Sequence, residues 1–135
     1  ISAYETSAEE FFKRLEDWNT DLVIDTRLKN TNQLAGFTKR DDLAYFVEQI
    51  VHGRYVHDKL FAPAPTMMER YIHGNIGWDA YADAYREDMR EREAVPQFFE
   101  RYGEYESVAL VGTATHARRS HVEILAEMLK DFQKQ

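Results

Sequence analysis

The chain has 135 residues, of which 44% are hydrophobic and 30% charged, as expected for a single globular domain spanning residues 1–135. Its net charge of -7 argues against nucleic acid or a membrane surface as a partner, because both attract proteins with net or clustered positive charge. It has no cysteine, which excludes disulfides and thiolate chemistry, and no apolar run of the ~18–20 residues that span a membrane.

The first predicted elements are a helix and a buried strand. Ser7 begins a capping box, and apolar residues follow it at helical spacing: Phe11, Phe12, Leu15 and Trp18. Residues 22–24 (LVI) form a short apolar run typical of a strand that is buried on both faces. This strand ends in Asp25-Thr26-Arg27. Residues 1–4 could supply one more strand.

A loop, a second helix and a second strand follow. Residues 28–37 are predicted to form the loop, and Thr38 is predicted to cap the helix. One face of this helix is apolar, with Leu43, Phe46, Val47 and Ile50, and Gly53 is expected to end it. Residues 54–57 (RYVH) are the second predicted strand.

The C-terminal half is predicted to be mostly helical. Thr66 is expected to cap a helix after two prolines, and residues 78–93 form the next helix. The inward stripe of that second helix is Tyr81, Ala82, Tyr85 and Met89. Pro96 ends it and starts a short helical piece over residues 98–102. Residues 108–111 are the third strand, and residues 120–134 the closing helix.

Short apolar runs that alternate with amphipathic helices predict an α/β fold, a three-layer sandwich with a small, mostly parallel sheet flanked by helices. In such folds ligands bind outside the carboxyl ends of the strands, where the strand order reverses. We therefore expect residues 25–27, residues 57–58 and the loop of residues 112–120 to lie at one edge of the sheet.

The loop before the last helix carries two arginines, Arg118 and Arg119. Ser120 and Glu123 form a second capping box, in which the cap contributes roughly 1 kcal/mol. Each arginine opposes the helix dipole by roughly 0.3–1 kcal/mol, so the pair needs compensation. A bound phosphate or carboxylate would supply it, and so would Asp25 or a glutamate of a neighbouring loop. The sequence leaves these alternatives open.

Asp25 and Arg27 lie on the same side of the first strand by alternation, with Thr26 opposite. A mutual ion pair and a ligand-binding role are about equally favoured for them. Tyr85 is most simply a core residue, and it is also our candidate for an aromatic residue that lines a pocket. His121 is the candidate acid or base, because histidine titrates near pH 7.

The sequence predicts no metal and no cofactor. The five histidines, at positions 52, 57, 73, 116 and 121, do not have the spacing of a metal site. No glycine-rich phosphate loop of the P-loop or dinucleotide-binding type is present.

The ordered set of segments resembles the domain of unknown function 488 family over essentially the whole chain. The stretch LVIDTR resembles its strand ending in Asp-x-Arg, and Trp78, Tyr81 and Tyr85 resemble its aromatic helix. The stretch ALVGTATHARRSHVEILAE resembles its C-terminal signature without a gap. The resemblance implies an α/β fold with a pocket at the strand ends, and it implies no established reaction.

This chain departs from the family pattern at several positions. The signature usually carries cysteines where Gly112 and Ser120 stand here, and commonly a glutamate where Ala114 stands. The family's opening strand usually runs into Gly-His-Ser, and residues 4–6 (YET) occupy that region here. Chemistry that used these groups would be lost in this chain.

We therefore expect a protein that binds a small anionic ligand, such as a phosphate, nucleotide or carboxylate, as a degenerate, non-catalytic member of that family. The expected binding residues share the edge of the sheet: Asp25, Arg27, Arg119, Ser120 and Tyr85. The alternative is an enzyme acting on a small phosphorylated or carboxylated substrate with His121 as acid or base. No signal-peptide pattern is visible, so a cytoplasmic location is expected, and a homodimer is an open alternative to a monomer. The chain starts at Ile1 rather than Met, so we expect a few natural residues to precede it.

Overall fold

The computed structural model describes residues 1–28, 40–115 and 117–134. Within these residues three parallel strands form one sheet: β1 Leu22–Asp25, β2 Arg54–His57 and β3 Val108–Val111. Their order is β2-β1-β3, so β1 lies in the centre, with Leu22 opposite Arg54 on one side and Val108 on the other. All three predicted strands are confirmed.

The helices of the described residues connect and cover these strands. They are α1 Ala8–Asp17, α2 Arg40–Phe46, α3 Pro65–Ile72, α4 Trp78–Glu91, α5 Ala94–Tyr102 and α6 His121–Gln133. A π-helical turn, Val47–Val51, continues α2, and a 3₁₀ turn, Lys59–Phe61, precedes α3. No helix among the described residues has both the length and the apolar character needed to cross a membrane.

Helices cover both faces of the sheet, which confirms the predicted three-layer sandwich. Leu22 and Ile24 point from β1 into a core cluster built with α4, α5 and α6. Val23 points to the opposite face, into a cluster built with α1 and α2. Burial of each such aliphatic side chain contributes roughly 1.5–3 kcal/mol, so the apolar β1 binds the two helical layers together.

The first helix forms as predicted except at its end. Ser7 caps α1 by accepting a hydrogen bond from the backbone N–H of Glu10 at 3.1 Å. The apolar residues of its inward face are buried: Phe11, Phe12 and Leu15. Trp18, which was expected to continue this face, is 49% exposed. It is the C-cap residue, where the chain leaves the helix, so the helical spacing no longer positions its side chain.

The second predicted helix also ends differently from expectation. Leu43 and Val47 are buried as predicted, but Ile50, in the π-helical turn, is 39% exposed. His52, with a φ of 60°, is the C-cap, so the left-handed position lies one residue before Gly53. The predicted cap at Thr38 and the predicted loop beyond residue 28 lie outside the described residues.

Two expectations about prolines are corrected. The helix α3 begins at Pro65 with Ala64 as its N-cap, so Thr66 lies inside the first turn and does not cap it. Proline suits the first position of a helix, because its fixed φ is helical and its missing N–H would have no partner there. The helix α5 begins at Ala94 after Glu93 in the left-handed region, so Pro96 lies in its first turn.

The N-terminal residues add a single bridge to the sheet and no fourth strand. Ser2 pairs in parallel with Gly112, just beyond β3. Ala3 N–H donates to the carbonyl of Gly112 at 2.8 Å, and Gly112 N–H donates to that of Ile1 at 2.9 Å. This segment covers the end of β3 where the following loop begins.

The strand order defines where a ligand crevice can form. The chain goes from β1 to β2 on one side and then to β3 on the other, so the order reverses between β1 and β3. At the carboxyl end of this junction, Thr26 N–H donates to the carbonyl of Val111 at 3.1 Å. Open parallel sheets bind ligands at this kind of position.

Candidate functional site

Asp25 and Arg27 form a buried ion pair at the carboxyl end of β1. The guanidinium donates from Nε to Oδ1 at 2.8 Å and from Nη2 to Oδ2 at 2.7 Å. The backbone N–H of Arg27 also donates to Oδ1, at 3.2 Å. Both side chains are almost fully buried, at 0% and 2% exposure. Asp25 and Arg27 thus lie on the same side of β1, as strand alternation predicts, and of the two predicted roles the mutual ion pair is the one observed.

The neighbouring strand completes this network. Tyr55 of β2 donates its hydroxyl to Asp25 Oδ2 at 2.6 Å, and His57 donates from Nε2 to the carbonyl of Arg27 at 2.8 Å. Burial by itself lowers the pKa of Arg27, but the hydrogen bond and charge of Asp25 outweigh it and raise that pKa above its ordinary value. The charge of Arg27 is therefore permanent and balanced within the protein.

His121 faces Thr26 on the other side of β1. Its Nε2 lies 2.8 Å from Thr26 Oγ1 and 3.2 Å from the Thr26 carbonyl. The Thr26 hydroxyl donates to the carbonyl of Val111 at 2.8 Å, so Nε2 carries the proton and donates to Thr26. Burial lowers the pKa of His121 to about 4, although the Thr26 backbone bond and the charge of Asp25 oppose the shift. The imidazole is therefore neutral at pH 7.

Tyr85 lies beside this histidine in the layer of α4. Its ring centroid is 5.5 Å from that of His121, and its hydroxyl donates to the carbonyl of Phe61 at 2.7 Å. Burial raises the pKa of Tyr85. The structure thus brings Tyr85 and His121 together, with a tyrosine hydroxyl that is already bonded to the backbone.

Ser120 is the N-cap of α6, as predicted, and its Oγ accepts from Val122 N–H at 3.4 Å. Glu123 does not close the box, because its carboxylate binds Arg119. Gly112 packs directly against this helix start: a Cβ there would lie 3.0 Å from Ser120 Oγ and would overlap Val122 Cγ2. Positions 112 and 120, where the family resemblance places cysteines, are therefore adjacent in space.

Arg119 is directed away from the ion pair of β1, towards α4. Its side chain is 54% exposed and donates from Nε to Glu123 Oε2 at 3.0 Å, with a second bond from Nη2 to the same carboxylate. The guanidinium carbon lies 4.1 Å from the centroid of the Trp78 ring. The hydrogen bond to Arg119 also lowers the pKa of Glu123. Arg119 thus has partners of its own, none of which is Asp25 or Arg27.

Arg118 differs from its neighbour. It is half-buried, and its side chain makes no hydrogen bond or ion pair with any residue that the structure describes. Two backbone hydrogen bonds with Thr115 hold its position in the loop, at 2.8 and 3.3 Å. Burial raises the pKa of Tyr81, and the charge of Arg118 opposes that rise.

Two partners at this edge were not predicted as site residues. Tyr55 shares its side of β2 with His57, and strand alternation could have identified it as a partner of Asp25. Thr26 was assigned to the opposite side of β1, but its contact with His121 depends on where α6 packs. His116 lies outside the described residues, in which no group of three or more metal-binding side chains occurs.

Comparison with known proteins identifies a family. The model of a family described as Domain of unknown function DUF488 matches residues 7–129. No curated protein and no solved structure matches the chain.

Proposed function

The chain belongs to the family described as Domain of unknown function DUF488, and from that premise we propose that it binds a small anionic molecule without transforming it. The ligand is a phosphate, a nucleotide or a carboxylate. It binds at the carboxyl edge of the sheet, between the end of β1 and the loop that leads into α6.

Arg118 carries this proposal. A half-buried guanidinium without a partner among the described residues is costly, because burial removes water that would otherwise solvate the charge. Its position two residues before the N-cap of α6 adds to the cost, since the helix dipole disfavours a cation there by roughly 0.3–1 kcal/mol. A bound anion would compensate both, with charge-assisted hydrogen bonds from Arg118 and favourable interaction with the helix dipole.

The other predicted binding residues have supporting roles in this proposal. Arg27 and Arg119 each have a carboxylate partner, Asp25 and Glu123 respectively, so neither adds an uncompensated charge. The buried ion pair of Asp25 and Arg27 holds the carboxyl edge of the sheet in place and does not itself bind the anion. Ser120 fixes the start of α6, and Tyr85 packs against its first residue.

Binding without catalysis is favoured over the enzymatic alternative because of His121. Its side chain is 1% exposed, and burial lowers its pKa to about 4. An acid or base that works near pH 7 needs a pKa close to that pH and contact with the substrate. The single proton of the ring is also held by Thr26.

Thermal unfolding with inorganic phosphate, mononucleotides and simple carboxylates tests the proposal. A ligand present at ~100 times its Kd should add about 2.7 kcal/mol of stability, which is a shift of several degrees. We expect at least one anion to stabilise the wild-type protein and to lose this effect in the Arg118→Ala variant. If no anion shifts the wild-type transition, or if the shift persists without Arg118, the proposal is wrong.

A ligand found in this way is then incubated with the protein and analysed for products, and turnover would favour the enzymatic alternative.

A further inference from the structure

We propose that the anionic ligand is a nucleotide whose base stacks on the aromatic group formed by Tyr71, Trp78 and Tyr81. This inference rests on the anion site proposed above and adds the part of the ligand that Arg118 does not contact. A nucleotide combines a planar π-face with a phosphate. The protein presents aromatic rings and, in the loop before α6, a guanidinium that has no partner among the described residues.

The aromatic group is located at the surface of the α4 layer. Tyr71 and Tyr81 are stacked with their ring centroids 4.3 Å apart and their planes at 16°. Trp78 lies 5.9 Å from Tyr71 and 6.0 Å from Tyr81. Only Tyr81 is buried; Tyr71 and Trp78 are half-buried, and α3, which carries Tyr71, has no fully buried residue. Ring surface is therefore left for a ligand to contact.

One arginine adjoins these rings, and a second precedes it in the loop. The guanidinium of Arg119 lies over the Trp78 ring, and Arg118 is its neighbour in the chain. Nucleobases stack on aromatic rings and on guanidinium planes alike, so Arg119 extends the stacking surface even while it is paired with Glu123. Arg118 is then available for the phosphate. Inorganic phosphate or a simple carboxylate would leave the aromatic group unused.

The charges of the adjacent cleft indicate which end of the nucleotide lies there. A cleft of about 500 Å³ opens beside Trp78 between α4 and α6, within the size range of small-molecule sites. Arg86 and Arg119 line it, each paired with a glutamate that also lines it. Asp79 and Asp83 line it too and make no ion pair with any described residue, so the cleft carries net negative charge. Carboxylates accept hydrogen bonds from sugar hydroxyls and exocyclic amines but repel phosphate. The phosphate therefore lies towards Arg118, and the nucleoside towards the cleft.

Tryptophan fluorescence provides the test, because the chain has only two tryptophans. The Trp18→Phe variant leaves Trp78 as the single reporter, and Trp18 itself is an exposed residue on the α1 side of the sheet. This variant is titrated with adenosine and guanosine monophosphates, ribose 5-phosphate and inorganic phosphate. We expect at least one mononucleotide to quench Trp78 and to bind about 5-fold or more tightly than ribose 5-phosphate, because that factor is the lower end of what stacking of one base contributes.

Substitution of Tyr71 separates the base from the phosphate. In the Tyr71→Leu variant we expect nucleotide affinity to fall about 10-fold while that for inorganic phosphate is unchanged, and Tyr71→Phe should keep both. Circular dichroism shows whether each variant folds. If Tyr71→Leu does not fold, the inference is tested by the affinities of the Trp18→Phe variant for a mononucleotide and for ribose 5-phosphate. Equal affinities for those two ligands would overturn the inference and leave the anion site intact. Absence of binding by every anion would overturn both.

Discussion

The carboxylate of Asp25 and the guanidinium of Arg27 are joined by two parallel hydrogen bonds, of 2.8 and 2.7 Å, in the interior of the protein. Each of these two charged groups could have bound a ligand. They instead neutralise each other. The positive charge that remains for a ligand at this edge comes from the loop before α6, where Arg118 has no described partner. The proposed site therefore depends on that loop more than on the strand.

The Asp25→Asn substitution should destabilise the protein strongly. It leaves the buried Arg27 without its counter-ion, and removal of one member of a buried pair typically costs about 3–5 kcal/mol. Urea unfolding at pH 7 measures the loss. Glu123→Gln is the matched control, because it breaks the exposed pair with Arg119 and should cost about 1 kcal/mol or less. Equal losses in the two variants would show that the buried pair has no special structural role.

His121 should make stability depend on pH. Its pKa falls from 6.5 in the unfolded chain to about 4 in the folded protein, so the folded state favours the neutral ring. The contribution of the neutral ring to the free energy of unfolding is complete above pH 6.5 and is lost as the pH falls towards 4. Between pH 7 and pH 5 this loss amounts to about 2 kcal/mol.

The His121→Gln variant isolates this effect, because glutamine can still donate to Thr26 and does not titrate. Urea unfolding of both proteins at pH 7 and pH 5 gives the comparison. We expect the wild-type protein to lose about 2 kcal/mol more than the variant over this interval. Parallel losses would mean that His121 is solvated or charged in the folded protein, and would reopen its role as an acid or base.

Gly112→Ala should destabilise the junction between β3 and α6. The added Cβ would overlap Val122 Cγ2 and approach Ser120 Oγ to 3.0 Å, and overpacking of this kind costs about 1–3 kcal/mol. Thermal unfolding measures the loss. The Gly112→Ala/Val122→Ala double variant should be more stable than the sum of the two single effects predicts, because it removes the overlapping methyl. Strict additivity would contradict the proposed clash.

The spacing of apolar residues along the chain predicts the architecture, because it indicates which side chains are buried in each helix and strand. Strand alternation likewise predicts that Asp25 and Arg27 lie on one side of β1 and Thr26 on the other. It could not find the contact between Thr26 and His121, which depends on how α6 packs on the sheet.

The same limit applies to the two arginines, which are neighbours in the chain and therefore equivalent by pattern. Arg119 was the predicted binding residue, but α4 brings Trp78 beneath it and α6 brings Glu123 beside it. These contacts belong to tertiary packing. They compensate Arg119 and leave the anion-binding role proposed here to Arg118.

Calorimetric titration of Arg118→Ala and Arg119→Ala, side by side with the wild-type protein, tests the anion site most directly. The ligand is inorganic phosphate, which does not contact the stacking surface that Arg119 extends. Loss of a charge-assisted contact should weaken binding about 10-fold or more in Arg118→Ala, whereas Arg119→Ala should retain most of the affinity. Equal effects of the two substitutions, or a larger effect of Arg119→Ala, would contradict the account and return the site to the exposed arginine over Trp78.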